Sequence, residues 1–237
     1  MSLTKNPGRF AGLLYLLGSI PGWFGLAYVP SKLIVYGNAT ATANNITASE
    51  TLFRIGIAAD LICQTLFIFV ALALYDLLKG VNKRHAVLIV ILFAVSVPIA
   101  FLNELNSIAA LVLVRGADFL SPFDKPQRDA LAMLFLNLRH GGVELAGIFW
   151  GLWLFPIGML LYRLGLLPRI LGVLLMGACF AYLANSFTWL VLPRYEDVVN
   201  RWVNPLQGAE LLLILWLLIK GPKPKPQASP TTVQRAD

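Results

Sequence analysis

Six stretches of this chain, 10–29, 52–78, 86–114, 130–162, 168–192 and 203–220, are apolar over lengths that can cross a bilayer. A helix rises 1.5 Å per residue, so about 20 such residues span a hydrocarbon core of ~30 Å. In lipid the backbone N–H and C=O groups must be satisfied within the segment, which makes each apolar run a helix. Hydrophobic residues make up 58% of the 237 and charged residues 13%. A soluble domain carries roughly twice that charge, about 25%, so the main solvent of this chain is lipid. The expected fold is all-α: a six-helix transmembrane bundle over 1–221 and a disordered basic cytoplasmic tail over 222–237. The tail opens Pro222-Lys223-Pro224-Lys225-Pro226, and alternating prolines cannot hold a helix. Pro21, Pro98 and Pro156 fall inside spans and are expected to kink them.

Charge sets the orientation. Of the 19 Lys and Arg, eleven fall on the side that holds both termini, among them Lys79, Lys83, Arg84, Arg163 and Arg169. Seven fall on the other side, and Arg139 lies within a span. The acids Glu50, Asp118, Asp124, Asp129, Glu196 and Asp197 share the less basic side. Basic loops stay cytoplasmic, so both termini are expected inside. The first apolar run carries Pro21 and Gly22 rather than an A-x-A cleavage site, and it is expected to stay as an anchor. The net charge of +7 is therefore a loop property, and no basic run interleaved with aromatics points to nucleic acid. The segment 30–51 is expected as a loop. Its Asn38-Ala39-Thr40 and Asn45-Ile46-Thr47 would be glycosylation acceptors only in a eukaryote. Cys63 and Cys179 sit inside spans with no C-x-x-C pattern and read as packed thiols.

Three segments are distinctive: Val97-Pro98-Ile99-Ala100-Phe101-Leu102-Asn103-Glu104-Leu105-Asn106, then Ile148-Phe149-Trp150-Gly151-Leu152-Trp153-Leu154-Phe155-Pro156-Ile157-Gly158, then Leu167-Pro168-Arg169-Ile170-Leu171-Gly172-Val173-Leu174-Leu175. On these the chain resembles the multi-pass membrane family known as domain of unknown function 4386, from about Arg9 to Leu192. The resemblance implies a bacterial protein of the cytoplasmic membrane. It implies no particular activity.

Function is signalled by polar residues placed where lipid should be. Asp60, Glu104, Arg139, His140, Glu144 and Glu210 lie inside apolar spans, with Gln64, Asn103, Asn106, Asn137, Asn185 and Gln207 beside them. A charge at membrane depth costs at least about 2.5 kcal/mol, so such residues line cavities or pair. Counted from the outer ends of their spans, Asp60 is roughly 12 Å deep, Glu104 and His140 roughly 15 Å, and Glu210 and Asn185 roughly 10 Å. Asp60 and Gln64 share a helix face, as do Asn137, His140 and Glu144. The expectation is one outer-half cavity that gathers Asp60, Gln64, Asn103, Glu104, Arg139, His140, Glu144 and Glu210, with Glu104 the first partner for Arg139. Four carboxylates against one arginine leave three uncompensated negative charges. A low-dielectric pocket needs bound protons or a cation to hold them.

Several functions fit this set. One is binding or transport of a small polar or cationic solute, or of a lipid headgroup, by a protein that would work as a homodimer. A second is an intramembrane enzyme with Glu144 or Asp60 as base, His140 as acid and Arg139 as an anion clamp. His140, Glu144 and Glu104 could then hold a divalent Mn, Fe or Zn, while a three-histidine zinc centre is excluded by the count of two His. A third is a scaffold whose polar network only pins helices together. H-E-x-x-H, G-x-S-x-G and phosphate-loop patterns are absent from the sequence. Phe149, Trp150, Trp153 and Phe155 either pack or form the floor of the polar pocket. Reporter fusions after Gly80 and after Gly221 should read cytoplasmic, and a fusion at Asn44 should read outside. An outside signal from the Gly221 fusion would refute the even number of spans.

Overall fold

The computed structural model describes residues 6–164 and 166–223, so all but the first two residues of the expected tail lie outside it. Six helical segments are long and apolar enough to cross a membrane: Pro7–Leu33 (α1), Glu50–Leu78, Lys83–Arg115, Lys125–Tyr162, Pro168–Val191 and Pro193–Lys220. A shorter helix, Ala39–Ala48 (α2), lies after the first, so Glu50–Leu78 is α3, Lys83–Arg115 is α4 and Lys125–Tyr162 is α5. The helix containing the fifth span, Leu166–Val191, is α6. The sixth span is made of two helices, Glu196–Gln207 (α7) and Ala209–Lys220 (α8). No strand occurs among the described residues.

Helix starts follow local chemistry. Asn6 caps α1 by accepting from the N–H groups of Gly8 and Arg9 at 3.0 and 3.2 Å, ahead of Pro7. Asp124 and Gln127 form a reciprocal capping box, with Gln127 N–H donating to Asp124 at 2.8 Å and Asp124 N–H to Gln127 Oε1 at 3.0 Å. That box starts α5 at Lys125, ahead of its apolar run. The Ala/Thr/Asn-rich stretch expected as a loop is helical instead. Asn38 caps α2, Ile46 is fully buried, and Asn45 Nδ2 donates to Leu33 O at 3.2 Å.

Two helices depart from regularity. Between Pro21 and Pro30, α1 widens into a π-helical turn over Phe24–Tyr28, and the Val29 N–H bonds Phe24 O five residues back. Such turns often mark functional positions. Pro205 lacks the N–H that would bond one turn back. The sixth span then breaks at Gly208, where Gly208 N–H donates to Pro205 O at 3.2 Å and Leu211 N–H to Gly208 O at 3.1 Å. α7 packs on α6 while α8 packs mainly on α1. The ends of the described chain meet there: Asn6 Nδ2 donates to Gly221 O at 2.8 Å. By contrast α4 and α5 run on as single helices through Pro98 and Pro156.

Two apolar cores form along the bundle. At the end that holds the termini, Tyr15, Leu74, Ile89, Trp153, Leu154, Ile157 and Leu213 are buried together. At the distal end Val29, Leu33, Ile46, Phe53, Ala110, Leu113 and Leu136 form the second. Asp60, Glu104 and Arg139 fall between these two sets along their own helices, so a polar layer separates the cores.

Glycine permits the closest helix contact. A Cβ on Gly172 of α6 would lie 2.5 Å from Gly158 O and 2.9 Å from Tyr162 N of α5. Both obstacles are backbone, so the helices would have to part. Gly172→Ala should lower stability in detergent by about 1–3 kcal/mol. Gly177→Ala, where nothing lies within 4 Å, should be neutral or slightly stabilising in the same thermal melts.

Candidate functional site: an ion triad beside an acid-lined chamber

Arg139 on α5 reaches between two carboxylates. Its Nε donates to Glu104 Oε1 of α4 at 3.2 Å, and its NH2 group pairs with Asp60 of α3. The main chain of Arg139 is fixed as well, since Asn103 Nδ2 donates to Arg139 O at 2.9 Å and Asn106 Nδ2 to Asn103 Oδ1 at 3.1 Å. Gly142, one turn further along α5, lies directly under the Asn103 amide. From the other side the π turn of α1 brings Gly25 against Asp60, so closely that any side chain there would strike the carboxyl and Gly56 O. Apart from the Asn106–Asn103 bond within α4, each of these contacts crosses between helices. The triad therefore ties α1, α3, α4 and α5 at one level.

A second, larger feature adjoins it. A chamber of about 510 Å³ lies between α1, α3, α5, α6 and the broken sixth span, with Phe93 of α4 also on its wall. At its base Glu210 accepts from two phenols: from Tyr15 on Oε2, and from Tyr182 on Oε1 at 2.9 Å. Glu210 follows the Gly208 break directly, and the break aims it inward. Below it Tyr15, Phe67, Phe93 and Trp153 pack together with neighbouring ring centres 4.9–5.9 Å apart, Tyr15 edge-on to Phe67, Phe67 stacked on Phe93 and Trp153 tilted against all three. Trp150 and Trp153 do form part of this floor. Phe155 is turned away and stacks edge-on against Phe180.

The upper walls carry Glu144, Tyr182, Asn185, Asn200, Asn204 and Gln207. Asn185 Nδ2 donates to Asn204 Oδ1 at 2.8 Å. The opposite face of α7 exposes Val198, Trp202 and Leu206 at four-residue spacing, Trp202 to 76%. α7 is thus amphipathic, with amides toward the chamber and apolar side chains toward lipid. Among the described residues, no Lys, Arg or His lines the chamber.

The expected single cavity is therefore divided. Asp60, Gln64, Asn103, Glu104 and Arg139 come together around the triad. Glu144, Glu210 and Gln64 line the chamber. His140 joins neither group. It lies 3.5 Å from Glu196 Oε1 of α7 and meets Trp189 edge-on. The reason is helical: Arg139 and His140 are consecutive and point about 100° apart. His140, Glu144 and Glu104, the expected metal set, do not converge. No cluster of three or more His, Cys, Asp or Glu suited to a metal forms among the described residues. Asn137 is exposed.

Tyr15, Tyr182, Gly25, Asn200, Asn204 and Glu196 carry parts of the site that sequence reasoning did not single out. Tyr15 and Glu210 are 195 positions apart, and no local pattern links them. Pro205 and Gly208 are the local signal that could have marked the break before Glu210.

The six spans and the buried ion triad define a multi-pass membrane protein built around an interior polar layer. Residues 10–221 match the model of the family described as Domain of unknown function (DUF4386), and the chain belongs to that family. No curated protein and no solved structure matches it.

Arg139→Ala leaves two buried acids without their shared counter-charge. It should cost about 3–5 kcal/mol and lower the melting temperature sharply. Glu144→Gln removes an unpaired charge from a half-buried position, and it should stay within about 1 kcal/mol of the parent. Equal melting temperatures for the two variants would refute this division of labour.

Proposed function

We propose that the chamber binds, and passes across the membrane, a small organic cation such as an alkylammonium solute or an ammonium-bearing headgroup. The observation that carries this reading is the chamber's composition. Two carboxylates, Glu144 and Glu210, face a space also lined by Trp23, Phe67, Phe93, Trp150, Trp153 and Tyr182. Aromatic faces and a carboxylate together attract a desolvated ammonium group, each cation–π contact contributing about 0.5–2 kcal/mol. The volume suits a small ligand, since such pockets run to roughly 300–1,000 Å³. Asparagine and glutamine amides above the acids would orient polar substituents.

The two irregular helices support movement as well as binding. The π turn of α1 and the Gly208 break both border the chamber region, and transporters commonly build midplane sites from discontinuous helices. The basic loops at the terminal end support a cytoplasmic placement of both termini in the cytoplasmic membrane, which would open the upper walls toward the outside. An intramembrane metalloenzyme has no comparable support, because His140, Glu144 and Glu104 face different neighbours.

Tetraethylammonium chloride, compared with sodium chloride at equal ionic strength, should raise the melting temperature of the purified protein. A ligand at 100 times its Kd adds about 2.7 kcal/mol. Glu210→Gln should abolish most of that rise, while its amide oxygen still accepts one tyrosine hydroxyl and its amide NH2 donates to the other phenol oxygen. A parent protein indifferent to tetraethylammonium, or a Glu210→Gln protein that responds equally, would overturn the reading.

A further inference from the structure

The ion triad is incomplete on its own terms. Two carboxylates and one guanidinium leave one negative charge in a place where Asp60 and Glu104 are each only 4% exposed and Gln64 only 5%. Arg139 uses one oxygen of each acid. The remaining oxygens, Asp60 Oδ1 and Glu104 Oε2, are buried with no hydrogen-bond donor, and so is Gln64 Oε1. Buried acceptors without donors are rare and costly, about 1–3 kcal/mol each. All three residues line one hollow of about 10 Å³, which is room for roughly one water at most. The two carboxyl groups also pair with the same guanidinium, which holds them beside each other. What is missing is a donor that also carries one positive charge.

We propose that Asp60 and Glu104 bind one exchangeable proton between them. Uptake of H⁺ from water forms an O–H bond on one carboxyl, which donates to the free oxygen of the other. Both orphaned carboxyl oxygens are then satisfied and the triad becomes neutral. No other side chain hydrogen-bonds these free oxygens, and the hydroxyl of Ser107, one turn along α4 from Glu104, is itself buried without a partner. Cys63, one turn along α3, is a thiol on the chamber side. α1 faces the site with Gly25 and Leu26, α4 adds the neutral Asn103, and α5 adds Arg139, Gly142 and Val143. His140 and Glu144 face elsewhere. A larger cation fits less well, because the guanidinium already bonded to both acids would repel it. The exchange route is short: Leu26, Gln64, Val143 and Trp150 belong to the walls of both the hollow and the chamber. The site stands independently of the chamber's ligand, and it can be tested with none added.

Infrared spectroscopy of the purified parent protein at neutral pH reads the proton directly, as a carboxylic-acid carbonyl band apart from the carboxylate bands. One such band is expected, and it should shift when the protein is moved into D₂O. Asp60→Asn and Glu104→Gln each leave one acid against Arg139, a neutral pair, and each should lose the band. The double variant Glu144→Gln, Glu210→Gln should keep it. No band in the parent protein, a band that fails to exchange, or a band lost only in the chamber variant would overturn the proposal. The last result would place the proton on the chamber acids instead, and the double variant decides this even where Asp60→Asn and Glu104→Gln do not fold.

Discussion

Everything in this bundle is arranged around a guanidinium that cannot leave. Arg139 lies between two apolar cores, so its charge must be answered there. Asp60 and Glu104 answer it from two other helices. A pairing of this kind adds little net stability when compared with well-packed apolar residues. Its physical effect is selection: only one register of α3, α4 and α5 brings both acids to the arginine. In a membrane, where apolar side chains gain little by leaving lipid for one another, such a polar fastening gives the helices a reason to meet at one level.

The small residues follow from the same constraint. The carboxyl of Asp60 needs space on its α1 side, and Gly25 leaves it. Gly142 does the same for the Asn103 amide that holds Arg139 O. The π turn at Phe24–Tyr28 sits where α1 passes this layer. Its distortion can be traced to Pro21 and Pro30 on either side and to its close approach to α3. Irregular backbone at membrane depth is tolerated where it is buried in protein or lines a cavity, and here it does both.

Much of the fold was legible because lipid imposes simple rules. Length and hydropathy alone mark six spans, although the longest helix starts at the Asp124–Gln127 capping box, ahead of the apolar run over 130–162. Other features could not be read locally. The sixth span looked like one apolar helix over 203–220, yet its helical structure begins at Glu196, and the amide face of α7 makes sense only beside the chamber. For the site, the list of buried polar residues was readable but not its partition. Depth along a helix follows from counting, whereas facing depends on rotation, and neighbours such as Arg139 and His140 diverge. The charge deficit computed over all four acids therefore splits into two smaller ones, one negative charge at the triad and two in the chamber. Asp60 was not foreseen as the second partner of Arg139, since nothing in sequence ranks one buried acid over another 79 positions away.

That partition gives the two deficits different chemistry. At the triad the missing charge must fit a hollow of about 10 Å³, which only a proton does comfortably. In the chamber the acids face about 510 Å³ and a set of aromatic rings, which favours a bulky organic cation over a bare ion. Glu210 is also held differently from the triad acids. Its donors are the neutral hydroxyls of Tyr15 and Tyr182, which stabilise a carboxylate without cancelling its charge. An arginine in their place would have neutralised the site and left no field for a cationic ligand. Two phenols position the acid and leave its charge available. The break at Gly208 is what lets a residue on the last span reach both of them, so the least regular helix of the bundle supplies the chamber's central charge.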